Sequence, residues 1–115
     1  MSELHKLRDA LRLFATERDW SKFHSPKNLA TALSVEAAEL LEPFQWLTEE
    51  QSASLSDEQR SSVRDELADV LNYLVQLADK LDIDLVNAAH DKIRKNAEKY
   101  PADKVRGSAS KYPVR

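Results

Sequence analysis

Large apolar residues recur every three or four positions along most of the chain, which is the spacing of one face of an α-helix. The first such segment runs from about Glu3 to Arg18. A second follows Ser25-Pro26, a helix cap with proline at the first helical position, and Pro43 ends it near Glu42. No β-branched run alternates with period two, so no strand is predicted.

Two further helices are predicted, from about Asp57 to Leu81 and from Asp84 to about Lys99. Ser56 and Gln59 have the spacing of a capping box at the start of the longer one. Tyr100-Pro101 stops the last helix, because the residue before a proline disfavours helical geometry.

The pattern therefore predicts an all-α, four-helix bundle-like domain over residues 1–100 and an irregular basic tail over residues 101–115. The polar segment from Thr48 to Leu55 is expected to be a loop or a short helical turn. The apolar faces expected to form the core are Leu4, Leu7, Leu11 and Phe14; Leu29, Leu33, Val35, Leu40 and Leu41; and Val63, Leu67, Val70, Leu71, Leu74, Leu77 and Ala78.

Composition and charge exclude several classes of protein. With 115 residues there is room for one domain, whose core is often shared between subunits in small helical proteins. The net charge of −3 argues against nucleic acid or an anionic membrane as a partner. No window has the ~18–20 apolar residues of a membrane span, and the N-terminal residues do not resemble a signal sequence.

Two residue types that often carry chemistry are scarce. The chain has no cysteine, which excludes disulfides and thiolate metal sites and is consistent with a cytoplasmic location. Its single glycine is Gly107, so a glycine-rich phosphate loop is excluded. Any phosphate must therefore be bound by side chains, metal ions or helix ends.

Two carboxylate pairs lie within apolar helical sequence. Glu36 and Glu39 are three residues apart on the second predicted helix, and Glu66 and Asp69 are three apart on the third. Each pair projects from one helix face, so packing of the two helices can bring four carboxylates together. Such a group must be neutralised by protons, cationic side chains or metal ions. Oxygen ligands without His or Cys favour Mg²⁺ or Mn²⁺ over zinc.

The same acids are compatible with a solvated helix face or with a different metal centre. A carboxylate pair at this spacing is also common on a solvated helix face. A di-iron centre would need Glu-x-x-His, but Ser2, Ser21 and Asn87 stand three residues before the three histidines. The absence of this motif argues against a redox di-iron site.

Several motifs accompany the carboxylates: Glu17-Arg-Asp-Trp20, Phe23-His24, Pro26-x-Asn28-Leu29, Phe44-Gln-Trp46, Asp69-Val-Leu-x-Tyr73-Leu, Tyr100-Pro101 and Arg106-Gly-Ser-Ala-x-Lys111-Tyr112. Together with Glu36-x-x-Glu39 and Glu66-x-x-Asp69, they resemble the all-α nucleotide pyrophosphohydrolases, the superfamily of MazG and the dimeric dUTPases. The dCTP pyrophosphatase branch is the most similar, and the resemblance covers nearly the whole chain.

This resemblance implies a four-helix protomer in a homotetrameric dimer of dimers. It also implies Mg²⁺ bound by Glu36, Glu39, Glu66 and Asp69, with Mn²⁺ as an alternative. Water would attack the α-phosphorus of a nucleoside triphosphate, dCTP or a modified dCTP, and release pyrophosphate. This reaction would clear unwanted nucleotides from the nucleotide pool. One carboxylate would accept the proton of water, and Glu39 is our candidate.

Nucleotide contacts are implied by the same resemblance. Trp20 and Trp46 are expected to stack on the base, although tryptophan is also a common core or interface anchor. His24 is expected to donate to the base or to a phosphate. Asn28 either binds the substrate or satisfies free amides at a helix start, and Tyr73 either reaches the sugar and phosphates or packs between helices.

Lys92 and Asn96 are expected to bind the triphosphate, although Lys92 could belong with its basic neighbours to a solvated helix face. Arg106, Lys111 and Tyr112 in the tail could close over a site.

Leu11 departs from the family pattern. Eukaryotic relatives have a histidine nine residues before the tryptophan that matches Trp20, and this chain has Leu11 there. A broader dNTP range or a preference for modified pyrimidines is therefore an alternative to dCTP. Two further hypotheses are a non-catalytic helical interaction module, whose acids pair with Lys or Arg, and a dUTPase-like hydrolase of the same fold.

Overall fold

The computed structural model describes residues 2–108, and within that range the secondary structure is entirely helical. This confirms the predicted all-α class. The helices are α1 (Glu3–Glu17), α2 (Pro26–Leu41), α3 (Glu49–Ser52), α4 (Asp57–Lys80), α5 (Leu85–Lys99) and α6 (Ala102–Val105), with a 3₁₀ turn at Ser21–Phe23. None of the described helices is both long and apolar enough to cross a bilayer.

Local caps start the helices where the sequence pattern places them. The Ser25 hydroxyl accepts a hydrogen bond from the backbone N–H of Asn28 at the start of α2. Ser56 and Gln59 form the predicted capping box of α4. A second capping box, from Thr48 to Gln51, starts α3 inside the segment expected to be a loop or a helical turn.

The end of α1 is a tight turn with a left-handed residue. Asp19 has φ 54°, and its backbone N–H donates to the carbonyl of Thr16 at 3.1 Å. The N–H of Trp20 donates to the carbonyl of Ala15 at 2.9 Å. These two bonds are those of a Schellman cap, which usually has glycine at the left-handed position. The cap places Trp20 directly beyond the last turn of α1.

The chain divides into two compact units between Asp82 and Ile83. In the first unit, α2 packs along α4, and α1 packs against α4. Arg12 on α1 forms a two-point ion pair with Asp79 on α4, with nitrogen–oxygen distances of 2.8 and 2.5 Å. The second unit contains α5 and α6. Packing of a fourth long helix onto the other three stays a prediction.

The buried apolar core of the described residues is small and consists of Ala15, Leu29, Val75 and Ala78. Several positions predicted to be core are instead 40–61% exposed: Phe14, Val35, Leu41, Leu67 and Leu71. The prediction was wrong for these residues because, within a single chain, the neighbouring helices cover only part of each apolar helix face. A burial pattern therefore cannot be read from helical periodicity alone.

The tail begins differently from the expectation of an irregular segment. Pro101 occupies the N-cap position of α6, a single helical turn that ends at Val105. Lys111 and Tyr112 lie outside the described residues, and their expected role is not tested.

Candidate active site

Packing of α2 against α4 brings three carboxylates together. Glu36 and Glu39 lie one turn apart on α2, and Glu66 faces them from α4. One carboxylate oxygen from each of the three lies within 4.8 Å of the others. We call these residues the carboxylate cluster; all three are half-buried. An acidic cluster of this size could hold a divalent cation.

Asp69, the fourth predicted ligand, is exposed and lies outside this close group. Its charge is nevertheless near enough to help raise the pKa of Glu36. The structure therefore places Asp69 at the edge of the carboxylate cluster.

Glu36 is the electrostatic centre of the cluster. Its pKa is raised from 4.5 to about 7, first by a hydrogen bond with Glu39, then by desolvation and a hydrogen bond with Glu66. The negative charges of Glu39 and Asp69 add to this shift in the pKa of Glu36. Without a cation, the cluster is therefore stabilised by a proton at neutral pH and below.

Two carboxylate oxygens show what the cluster lacks. Oε2 of Glu36 and Oε2 of Glu66 are buried and have no hydrogen-bond donor. A proton on Glu36 would supply one donor, but only at the expense of its charge. A divalent cation satisfies several carboxylate oxygens at once, and a set of carboxylate ligands fits Mg²⁺ or Mn²⁺. The residues present thus fit the metal that the sequence predicts.

A groove of about 480 Å³ lies beside the cluster. Its lining contains four glutamates together with small polar residues and a proline: Glu39, Glu42, Pro43, Glu58, Gln59, Ser62 and Glu66. A polyphosphate could enter this groove only if cations offset the negative charge of these walls. Glu39 and Glu66 belong to both the cluster and the groove, so they connect the candidate cation site to open space.

The two predicted base-binding tryptophans lie in different connections of the chain, Trp20 between α1 and α2 and Trp46 between α2 and α3. Trp20 is 45% exposed, and its ring meets Phe14 nearly edge to face, with centroids 5.8 Å apart and planes at 70°. Trp46, in the connection between α2 and α3, is 87% exposed. Both indoles are therefore accessible to a ligand.

His24 is half-buried and lines a second groove, of about 270 Å³, between α1 and α4. Leu11, Arg12, Gln76 and Asp79 also line it, and none of the four predicted metal ligands does. The structure therefore places His24 in a groove separate from the one that Glu39 and Glu66 line.

Asn28 has a structural contact that the sequence does not predict. Its side-chain amide donates to the carbonyl of Phe23 at 2.9 Å and so ties the start of α2 to the 3₁₀ turn. Tyr73 is half-buried on α4, four residues after Asp69. Either residue could still contact a substrate with its remaining polar atoms.

Lys92 and Asn96 lie one turn apart on α5, in the second unit. Arg94, between them, pairs with Asp91 at 3.0 Å, as expected for a solvated surface. The proposed contact of Lys92 and Asn96 with the triphosphate stays a prediction.

Sequence reasoning missed the environment of Trp20. Helical periodicity assigns Phe14 to the core, whereas the structure pairs it with Trp20 at the surface. The missed signal is Asp19, which tolerates the left-handed conformation in place of glycine and so allows a Schellman cap. In that cap the residue at the position of Trp20 commonly contacts the residue at the position of Phe14.

Comparison with known proteins decides the family. The model of the MazG-like family matches residues 31–113. The chain belongs to the MazG-like family. The matched segment of this MazG-like chain includes the carboxylate cluster and Asp69, whereas Trp20 and His24 precede it.

The relatives agree with this assignment and with the resemblance found in the motifs. The chain is 45% identical to dCTP pyrophosphatase 1 of Homo sapiens over 101 residues, and 45% identical to that of Mus musculus over 100 residues. These matches cover 84% and 83% of this chain, but the chain spans only 59% of each relative. A pyrophosphatase from Archaeoglobus fulgidus superimposes with a TM-score of 0.82 at 41% identity, covering 88% of this chain and 94% of that one.

Proposed function

We propose that this MazG-like chain is a Mg²⁺-dependent nucleotide pyrophosphohydrolase that converts a deoxynucleoside triphosphate and water into the monophosphate and pyrophosphate. The carboxylate cluster carries the proposal, because two of its buried oxygens lack a donor in the middle of two packed helices. The matched family and the pyrophosphatase relatives support the same activity.

In this mechanism Glu36, Glu39 and Glu66 hold the cation, with Asp69 as a ligand at the edge. When bound, Mg²⁺ supplies positive charge for the phosphates and lowers the pKa of a water molecule. In the reaction, the oxygen of a water molecule bonds to the α-phosphorus as the bond from that phosphorus to the bridging oxygen breaks, and pyrophosphate leaves. Glu39 accepts the proton of the water, since it lies both in the cluster and on the groove.

The base and the phosphates are bound by residues outside the cluster. We assign the base to Trp20, Trp46 and His24, and the triphosphate to Lys92 and Asn96.

Asn28 and Tyr73 are assigned to the sugar or the phosphates. Names of the curated relatives favour dCTP or a modified dCTP as the substrate. Leu11 lines the groove of His24 and offers no hydrogen bond to a base, which supports a wider dNTP range as the alternative.

The chain is further proposed to act as a homo-oligomer, a dimer of dimers. Large apolar side chains of α2 and α4 are exposed in the single chain, and a second copy would cover them: Val35, Leu41, Leu67 and Leu71. Sedimentation velocity at micromolar concentration measures the assembly directly, and a monomer would contradict this part of the proposal.

The decisive experiment measures pyrophosphate release from a panel of dNTPs with Mg²⁺, with EDTA, and with the Glu39→Gln variant as a catalytic control. We expect release with Mg²⁺, fastest for dCTP or a modified dCTP, and none in either control. Failure to cleave any nucleotide, with no thermal shift on adding Mg²⁺ and a non-hydrolysable triphosphate, would favour the interaction module instead.

A further inference from the structure

A backbone turn places Trp20 at the end of α1, where the residue is 45% exposed. The N–H of Trp20 is bonded to Ala15, and the preceding Asp19 is in the left-handed conformation. Lys22 forms an ion pair with Asp19 at 2.8 Å across the same turn. The backbone of Trp20 is thus fixed, while its side chain faces solvent.

Phe14 supplies the contact that fixes the side chain. Its ring meets the indole of Trp20 with centroids 5.8 Å apart and planes at 70°. Arg18 lies over the ring of Phe14, with Cζ 3.7 Å from the centroid, and its Nη1 donates to the carbonyl of Phe14 at 3.1 Å. Phe14 is itself 46% exposed, so this contact is made at the surface, where packing from a core is absent.

We infer that Phe14 is a positioning residue for substrate binding, which holds the indole of Trp20 in the orientation that stacks on the nucleobase. The inference rests on the proposed function, because it assigns a role to a neighbour of a proposed base-binding residue. An exposed indole that is free to rotate loses conformational entropy when it stacks on a ligand. An edge-to-face partner removes part of that loss before the substrate arrives.

A purely structural role makes a different set of predictions. If the contact between Phe14 and Trp20 only caps α1, its removal lowers the stability of the helix and leaves the affinity for nucleotide unchanged. If Phe14 positions the indole, its removal raises KM and has little effect on kcat. Since every base has a π face, the rise in KM should be similar for all four dNTPs.

The test compares Phe14→Leu, which removes the ring, with Phe14→Tyr, which keeps it. Leu13→Ala is the matched control, because Leu13 is the neighbouring apolar residue and is 59% exposed. We expect Phe14→Leu to raise KM by roughly 3- to 10-fold, the range of an aromatic pair, with kcat within about twofold of wild type. Phe14→Tyr should restore the wild-type KM, and Leu13→Ala should leave it unchanged.

A double-mutant cycle identifies the route of the effect. In a Trp20→Leu background, Phe14→Leu should change KM by less than about twofold, because the indole through which it acts is gone. In a Trp46→Phe background, Trp20 is the only tryptophan, and Phe14→Leu should lower its fluorescence anisotropy. An unchanged anisotropy, or equal effects on KM with and without Trp20, would overturn the inference.

These results separate the inference from the proposed function. Wild-type pyrophosphate release decides whether the chain is a nucleotide pyrophosphohydrolase at all. A wild-type enzyme that is active, with a Phe14→Leu variant of unchanged KM, would refute only the positioning role of Phe14. An inactive wild-type chain would overturn both, whereas the anisotropy of the indole would still report whether Phe14 orders it.

Discussion

Replacing Glu36 by glutamine should stabilise the cation-free protein above neutral pH. The pKa of Glu36 is raised from 4.5 to about 7, so the folded state binds the proton of this carboxyl more tightly than the unfolded state does. Stability from this group is therefore fully present below pH 4.5 and is lost as the pH rises towards 7 and beyond. Glutamine stays neutral at every pH and can donate a hydrogen bond to Glu39 as the protonated acid does.

The size of the effect follows from the shift. One pKa unit corresponds to about 1.4 kcal/mol, so the shift in the pKa of Glu36 sets an upper limit of about 3.5 kcal/mol. Glu36 is only half-buried, and solvent screening reduces the limit to about 1–2 kcal/mol. We expect the free energy of unfolding of Glu36→Gln to exceed that of the wild type by this amount at pH 8 and to equal it near pH 4.5.

Urea unfolding followed by far-UV circular dichroism, in EDTA and at several pH values from 4.5 to 8, measures this difference. Glu42→Gln is the matched control, since Glu42 lines the same groove but lies outside the carboxylate cluster. The reasoning is refuted if wild type and Glu36→Gln lose stability in parallel over this range. At pH 8, adding Mg²⁺ at about 100 times its dissociation constant should stabilise the wild type by about 2.7 kcal/mol and the variant by less.

Substitutions at three further sites test other parts of the structure. Glu39→Gln should reduce pyrophosphate release at least about 100-fold and leave a folded protein by circular dichroism, and a failure to fold would make Glu39 a structural partner. Asp79→Asn breaks the ion pair with Arg12, which holds the pKa of Asp79 below its usual value. Its urea midpoint should therefore fall at pH 7, and the difference from wild type should vanish as the pH drops through that lowered pKa. Asp19→Val should destabilise the left-handed cap by about 1–2 kcal/mol, whereas Asp19→Gly should not. Thermal unfolding measures both variants, and equal effects of the two substitutions would contradict this prediction.

Local signals in the sequence predicted most of the secondary structure. Ser25-Pro26 and the Ser56–Gln59 pair start α2 and α4 because a cap needs only the residues within one turn. The box from Thr48 to Gln51 has the same local signal, but the polarity of its surroundings led to the prediction of a loop or a helical turn. Burial was harder, since exposure of residues such as Val35 depends on which elements cover a face.

The sequence predicted which acids form the candidate site, but not how exposed each acid is or how its pKa is shifted. Spacing of three residues on two helices was enough to expect that the acids converge, and Glu36, Glu39 and Glu66 do so. The exposure of Asp69 and the raised pKa of Glu36 depend on the register between α2 and α4, which no local pattern contains. Lys92 and Asn96 remain predictions for the same reason, because long-range packing decides what they face.

The small buried core predicts that the stability of this protein depends on its concentration. Only Ala15, Leu29, Val75 and Ala78 are buried among residues 2–108, so association of copies would supply apolar burial that one chain lacks. For a two-chain assembly, each tenfold dilution then removes about 1.4 kcal/mol of folding free energy. Under the proposed function and assembly, specific activity would fall and the melting temperature would drop when the protein is assayed at nanomolar instead of micromolar levels.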